Sequence, residues 1–299
     1  MTIALEAASQ GGVETGGTWC TCVLGTGPDD IVAEHRFRTV GPTETVERIG
    51  EFFDSYERPR AIGVGAFGPI DLDTQSTNWG VLGKTPKPGW AGADLGPALS
   101  RRVGAPVVLE TDVNAAALGE CRWGAGRGLA NVCYLTVGTG IGVGIVANGA
   151  LLHGVPHPEA GHMRIPHDWL RDPFGGACPS HGDCWEGLAS GQALLERWRN
   201  NPAELPDDHP AWALEAEYLS LGITNVIYTA SPHRVIVGGG VVTRDGLLQR
   251  VRGRVAELLA GYPGSEVLAN GLDDYIVGVA LAGRAGALGA MALAASSVV

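Results

Sequence analysis

Lysine is almost missing from this 299-residue chain: Lys84 and Lys87 are its only two among 21 basic residues. Arginine supplies the rest, a bias of the coding genome from which no chemistry is drawn. Acidic residues number 32, giving a net charge of −11. That balance excludes general affinity for nucleic acid or an anionic membrane surface. No run of about 20 apolar residues exists, which excludes a hydrophobic membrane-spanning helix. Met1–Gln10 lacks the basic start and apolar stretch of a secretory signal, so a cytoplasmic location is expected. No long charge run occurs, and 45% of residues are hydrophobic, which excludes a disordered chain. The length allows two domains of about 100–200 residues each. What is abundant is glycine, at 46 residues, about twice the usual share. The glycines are clustered rather than periodic, which excludes a collagen-like chain and marks loops where backbone comes close to a neighbour.

The spacing predicts a β-hairpin over Gly12–Leu24, with Gly27-Pro28-Asp29-Asp30 closing it, and a strand over His35–Val40. A helix over Thr43–Tyr56 would carry Val46, Ile49, Phe52 and Phe53 on one face, behind a Thr cap. Then come a buried strand over Ala61–Phe67, a helix over Leu95–Val103, a strand over Val107–Thr111 and a helix over Asn114–Trp123 ended by Gly124. The β-turn-β pattern recurs at Asn131–Asn148. Such a repeat predicts two related lobes facing each other. Residues 150–190 form a long loop containing Pro156, Pro158, Pro166, Pro173 and Pro179, of a length that suits function. Helices are expected over Gly191–Asn200, Ala211–Ala230 and Leu247–Leu259, with a strand over Val235–Val242. An alanine-rich helix over Ala280–Ala295 would pack back on the first lobe.

Five segments are candidates for chemistry. Glu14-Thr15-Gly16-Gly17-Thr18 is either a plain hairpin turn or a phosphate turn, where bare glycine backbone and a hydroxyl donate to phosphate oxygens and the acid holds a metal-bound water. Thr136–Gly144 contains G-x-G-x-G. A strand rather than a helix follows, so a phosphate loop on a hairpin fits better than a dinucleotide fingerprint. Arg234–Val242 runs a buried strand into Gly238-Gly239-Gly240, either a tight connection or a surface for something flat. Asp112, at a strand end entering a helix, is either a helix N-cap or a general base. His162, Cys178, His181 and Cys184 supply two imidazoles and two thiolates, the donor set of a closed structural zinc site. His157, His167 and Asp183 compete for its fourth position. Glu159 and Glu186 flank that loop, as solvated acids or as acceptors for sugar hydroxyls. Cys20 and Cys22 read as packing residues, and the intracellular expectation argues against disulfides.

Together these segments resemble the ROK family of sugar kinases, within the hexokinase–actin–chaperone ATPase superfold. The likeness runs from about Gly12 to Ala294 and rests on Glu14–Thr18, Thr136–Gly144, Glu159-Ala160-Gly161-His162 and the cysteine loop. It leans towards bacterial fructokinases through Ala66–Asp71, Thr85–Trp90, Thr111–Glu120, His157–Glu159 and Cys184–Gly191. His181 stands where many members have a third zinc cysteine, as in the fructokinase group. Three positions depart from the commoner pattern: Glu14 for Asp, Trp19 for Lys and Thr111 for Asn.

The resemblance implies an α/β, two-lobed actin-like ATPase fold of hexokinase type with a zinc-binding loop. Its first lobe would span 11–113, completed by a helix at 281–297, and its second 114–280, with the zinc loop at 157–190. It implies transfer of the ATP γ-phosphate to a hexose, first of all to the 6-OH of D-fructose, with Mg2+ and structural Zn2+. Asp112 would be the base. Gly16, Gly17, Thr18, Thr139 and Gly140 would hold phosphates; Gly238, Gly239, Gly240 and Gln192 would border the adenosine. Glu159, His162 and Glu186 would orient the sugar, directly or through the zinc loop. Sugar and ATP are the implied partners, with a homodimer as the implied assembly. The alternatives are a ROK kinase for mannose or glucose and a non-catalytic sugar-binding member. A ROK repressor is disfavoured, because only 13 residues precede Glu14 and the charge is acidic.

Overall fold

The computed structural model describes residues 9–155, 157–269 and 271–296. Most of the segment read for a signal, together with Pro156 and residue 297 of the closing helix, lies outside the described residues. In chain order the first elements are β1 (Gln10–Thr15), β2 (Trp19–Gly27), β3 (Asp30–Arg38), α1 (Pro42–Asp54), β4 (Ile62–Ala66), α2 (Leu95–Val103), β5 (Val107–Thr111) and α3 (Asp112–Trp123). Next come β6 (Val132–Val137), β7 (Ile141–Ala147), β8 (Ala150–Leu151), α4 (Trp185–Ala189), α5 (Gly191–Trp198) and α6 (Pro210–Ala230). The last are β9 (Arg234–Gly238), α7 (Leu247–Leu259), α8 (Glu266–Ala269), β10 (Ile276–Gly278) and α9 (Ala285–Ser296).

These elements form two compact units, one running to Gly128 and resuming at Leu281, the other spanning Leu129–Ala280. The division therefore falls at 128/129 rather than at the expected 113/114. The reason is α3, which packs along α9 and so stays with the first unit.

In the first unit the sheet order is β3-β2-β1-β4-β5, with β1, β2 and β3 antiparallel and β1, β4 and β5 parallel. Strand alternation sends Val13, Cys20, Cys22, Leu24 and Phe37 into one core with Ile49 and Phe53 of α1 and Leu95 and Leu99 of α2. The opposite face carries glycines instead. A Cβ on Gly63 would overlap the Ala290 carbonyl, and one on Gly289 would overlap the Ala115 carbonyl. Small residues thus let α9 lie directly on the sheet and on α3. The α1 helix starts two residues earlier than a Thr43 cap requires: its N-cap is Gly41, with Pro42 opening the helix and no side-chain cap.

The second unit repeats the plan. Its sheet order is β10-β9-β6-β7-β8, again with an antiparallel trio (β6, β7, β8) and a parallel trio (β6, β9, β10). The two glycine hairpins hold corresponding places in the two sheets. Here α6 and α7 cover the β6–β9 core, and Trp185 of α4 fits against Gly222 of α6. Strand β9 ends at Gly238, short of the expected Val242, because Gly239 turns left-handed at φ 96°.

Candidate functional site

In the first unit the β1–β2 turn is Gly16-Gly17-Thr18. The Gly16 N–H donates to the Trp19 carbonyl at 2.9 Å, which closes the turn. Thr39, the residue after β3, fastens it: its N–H donates to the Thr18 carbonyl at 3.0 Å and its hydroxyl to the Gly16 carbonyl at 2.7 Å. Lys87 donates its ammonium to the Gly17 carbonyl at 2.6 Å and to the Thr39 carbonyl at 3.3 Å. Burial lowers the pKa of that ammonium. Sequence reasoning drew no chemistry from the two lysines, yet one of them braces the turn; the 70-residue separation leaves no local signal.

Glu14 sits in a row across the sheet. It pairs with Thr21, which pairs with Arg36, and on the other side with Gly65, which pairs with Glu110. Burial, and next the charge of Asp112, push the Glu14 carboxyl up to about 7, against the pull of Arg36 and a backbone hydrogen bond from Ala287. Asp112 is therefore within electrostatic reach of Glu14.

Asp112 is the first residue of α3, half-buried, and its Oδ1 accepts the Val113 N–H at 2.8 Å. It is not the N-cap. Thr111 takes that role, its hydroxyl accepting the Asn114 N–H at 3.2 Å. Buried Glu110 accepts from the Thr111 N–H at 2.8 Å and the Asn114 amide at 3.0 Å. The α3 cap is thus Thr111 and not Asp112, whose carboxylate stands in the first turn of the helix.

In the second unit the β6–β7 turn is Gly138-Thr139-Gly140. The Gly138 N–H donates to Gly140, and the Gly191 N–H donates back to Gly138 at 2.7 Å, tying the start of α5 to the turn. Gln192 lies there too, its N–H 3.4 Å from the Thr139 carbonyl and its side-chain amide on Glu196. Gly239 packs on the Val137 backbone, so the Gly238–Gly240 segment borders the end of β6.

The long loop brings His162, Cys178, His181 and Cys184 together, with one ligand atom from each within 4.8 Å of all the others. His162 ends a 3-10 turn, Cys178 and Gly182 form a bridge across a tight turn, and Cys184 leads into α4. Cys178 Sγ lies 3.7 Å from His162 Nδ1 and 3.6 Å from His181 Nδ1; Cys184 Sγ lies 3.5 Å from His162 Nδ1. Zinc bonds of about 2.0 Å to nitrogen and about 2.3 Å to sulfur place tetrahedral ligands about 3.3–3.8 Å apart, so the donor set fits zinc. Burial pushes the Cys184 thiol up to about 12, and a cation is what would hold it as thiolate. The competing residues are engaged elsewhere. His167 contacts Asp183 Oδ2 at 3.2 Å and the Asp172 carbonyl at 2.9 Å, while Asp183 also pairs with Arg164. His157 Nδ1 lies 3.5 Å from Glu159.

Glu186 stands in the first turn of α4, its Oε1 3.9 Å from His162 Nδ1 and its Oε2 on the Ile141 N–H. Glu159 is partly exposed; desolvation raises its carboxyl pKa, and it feels the opposing charges of His162 and Glu186. Glu159, His162 and Glu186, the three residues expected at the sugar, therefore lie in one group that shares His162 with the Cys/His cluster.

The sequence profile of the ROK family matches residues 10–297. The chain belongs to the ROK family. It is similar to the fructokinase of Zymomonas mobilis, 39% identical, with 95% of each chain covered. It is also similar to the fructokinase of Streptococcus mutans, 36% identical over 95% of this chain and 96% of that one. Among solved structures, the ROK-family glucokinase of Streptomyces griseus, crystallised with glucose and AMPPNP, superposes with a TM-score of 0.77. That glucokinase is 28% identical, with 96% of this chain and 99% of the other covered. The ROK fold and the α/β architecture with a zinc-type Cys/His cluster are thereby those of this chain.

Proposed function

We propose that this ROK protein is an ATP-dependent fructokinase that phosphorylates the 6-OH of D-fructose. The observation that carries the reading is the placement of Asp112 beside Glu14, at the strand ends next to the Gly16–Thr18 turn. A proton acceptor, an acid suited to a cation and a phosphate-type turn then occupy one corner of one sheet. The fructokinase relatives support the choice of sugar.

In this reading Asp112 takes the proton from the sugar hydroxyl as its oxygen bonds to the γ-phosphorus, and the ADP oxygen leaves. The donors at Gly16, Gly17 and Thr18, and at Thr139 and Gly140, hold the phosphates. Gly238–Gly240 and Gln192 border the adenosine. Phosphoryl transfer asks mainly for such positioning and charge neutralisation. Mg2+ bound with the nucleotide would neutralise phosphate charge. The Glu14 carboxyl, raised to about 7 by burial and by Asp112, would ionise beside such a cation and then accept from its water shell. Glu159, His162 and Glu186 orient the sugar, and zinc held by His162, Cys178, His181 and Cys184 fixes the loop that carries them. A homodimer and a cytoplasmic location complete the proposal.

The test is ADP release over a panel of fructose, mannose and glucose, with NMR assignment of the phosphorylated carbon. The highest kcat/KM on fructose, with phosphate at C6, is expected. Preference for glucose or mannose would assign the chain to another hexose, and no ADP release with any sugar would overturn the kinase reading.

A further inference from the structure

Trp19 follows the Gly16–Thr18 turn, at the position where lysine is common in the family. Its ring, 39% exposed, carries two arginines: the Arg36 guanidinium carbon lies 4.6 Å from the ring centroid and that of Arg38 lies 4.7 Å away. Register explains the cluster. Trp19 pairs with Arg38 across β2 and β3, and Arg36 lies two residues along on the same face. Arg38 cannot drift from the turn, because the next residue, Thr39, bonds both Gly16 and Thr18.

The charges are the telling part. Several arginines of the first unit are in ion pairs, such as Arg102 with Glu47 and Asp54, Arg48 with Glu44 and Arg101 with Asp94. Among the described residues, Arg36 and Arg38 make no such pair. Two like charges are gathered on one ring without a bonded carboxylate, at the edge of a turn with bare glycine backbone. Stacking keeps them there while leaving the planar N–H edges able to donate in bidentate fashion, the geometry suited to phosphate.

We propose that Arg36 and Arg38, held on Trp19, recognise the phosphate chain of the nucleoside triphosphate received by the Gly16–Thr18 turn. Trp19 is their positioning residue. The proposal rests on the kinase reading of that turn and adds the residues that give it positive charge where the family's usual lysine is missing.

The test compares the full-length chain with Arg36→Gln/Arg38→Gln, Arg36→Lys/Arg38→Lys and Trp19→Ala. ADP affinity is read by calorimetry at low and high salt, KM by initial rates, and folding by thermal midpoint. The double Gln variant should melt as the parent does. It should lose about tenfold or more in ADP affinity and in KM for ATP, with KM for fructose unchanged and a shallower salt dependence. The double Lys variant should keep most of the affinity, and Trp19→Ala should weaken ADP without moving KM for fructose. ADP affinity of the double Gln variant within about twofold of the parent at low salt would overturn the proposal. So would an equal loss in the Lys and Gln variants. In either case a parent chain that still turns over ATP and a hexose leaves the kinase reading standing; a parent that does neither removes that reading instead.

Discussion

Glu186 and Ile141 are joined by a hydrogen bond, the Ile141 N–H donating to Oε2 of the carboxylate at 3.1 Å. Glu186 lies two residues beyond Cys184 of the Cys/His cluster, and Ile141 opens β7 directly after Thr139 and Gly140. The Cys/His cluster and the second glycine turn are therefore fastened to each other by one carboxylate. Its other oxygen faces His162.

Glu186→Ala should accordingly damage two kinetic constants, raising KM for the sugar and KM for ATP by about tenfold each, the scale of one hydrogen bond to a charged group. Glu186→Gln can still accept the Ile141 N–H. It should raise KM for the sugar and leave that for ATP near the parent value. Initial-rate kinetics with each substrate varied in turn check the split.

Elemental analysis of the purified chain should find zinc, and Cys178→Ser should lose it. The melting temperature should drop by several degrees, because metal binding at a structural site contributes folding free energy. Zinc content unchanged in the variant would remove Cys178 from the ligand set.

Asp112→Asn should lower kcat by about a hundredfold to ten-thousandfold, the span of general-base catalysis, while the melting temperature holds. Thr111→Ala should show the reverse emphasis. It deletes the α3 cap, costing about 1 kcal/mol of stability, and leaves the carboxylate in place. Paired thermal melts and rate measurements separate the two roles.

Glu14 makes stability depend on pH. Its carboxyl is raised from 4.5 to about 7 on folding, so the folded state favours the protonated form. Stability from this group is fully present below about 4.5 and is lost as pH rises through about 7, by at most about 3 kcal/mol. Glu14→Gln should flatten that part of the profile. Urea unfolding at pH 5 and pH 8 measures the difference.

Local signals made much of the fold readable. The apolar spacing of Leu95–Val103 and Leu247–Leu259 matches α2 and α7 end to end, and Gly104, at φ 63°, terminates α2 as a left-handed cap should. The recurrence of the glycine hairpin pointed to two related lobes, and the hairpin does recur at corresponding places in two sheets, whose shared order it did not give. The Cys/His cluster was legible because three of its four residues lie within seven positions. What escaped were contacts between distant residues. The allegiance of α3 is set by α9, more than 160 residues later in the chain. Lys87 reaches Gly17, and Arg36 rests on Trp19, through packing that no local pattern encodes. The short β8 and β10 strands carry too few residues to register as periodic.

The position of α9 has a consequence for biosynthesis. Its alanine-rich surface closes the β1–β4 sheet and seats α3, yet of the described elements it is the last to leave the ribosome. Gly63 and its neighbours must wait, uncovered, while the whole second unit is translated. The contiguous unit can therefore mature first, and a nascent chain halted before Ala285 would present an open sheet face to chaperones and proteases.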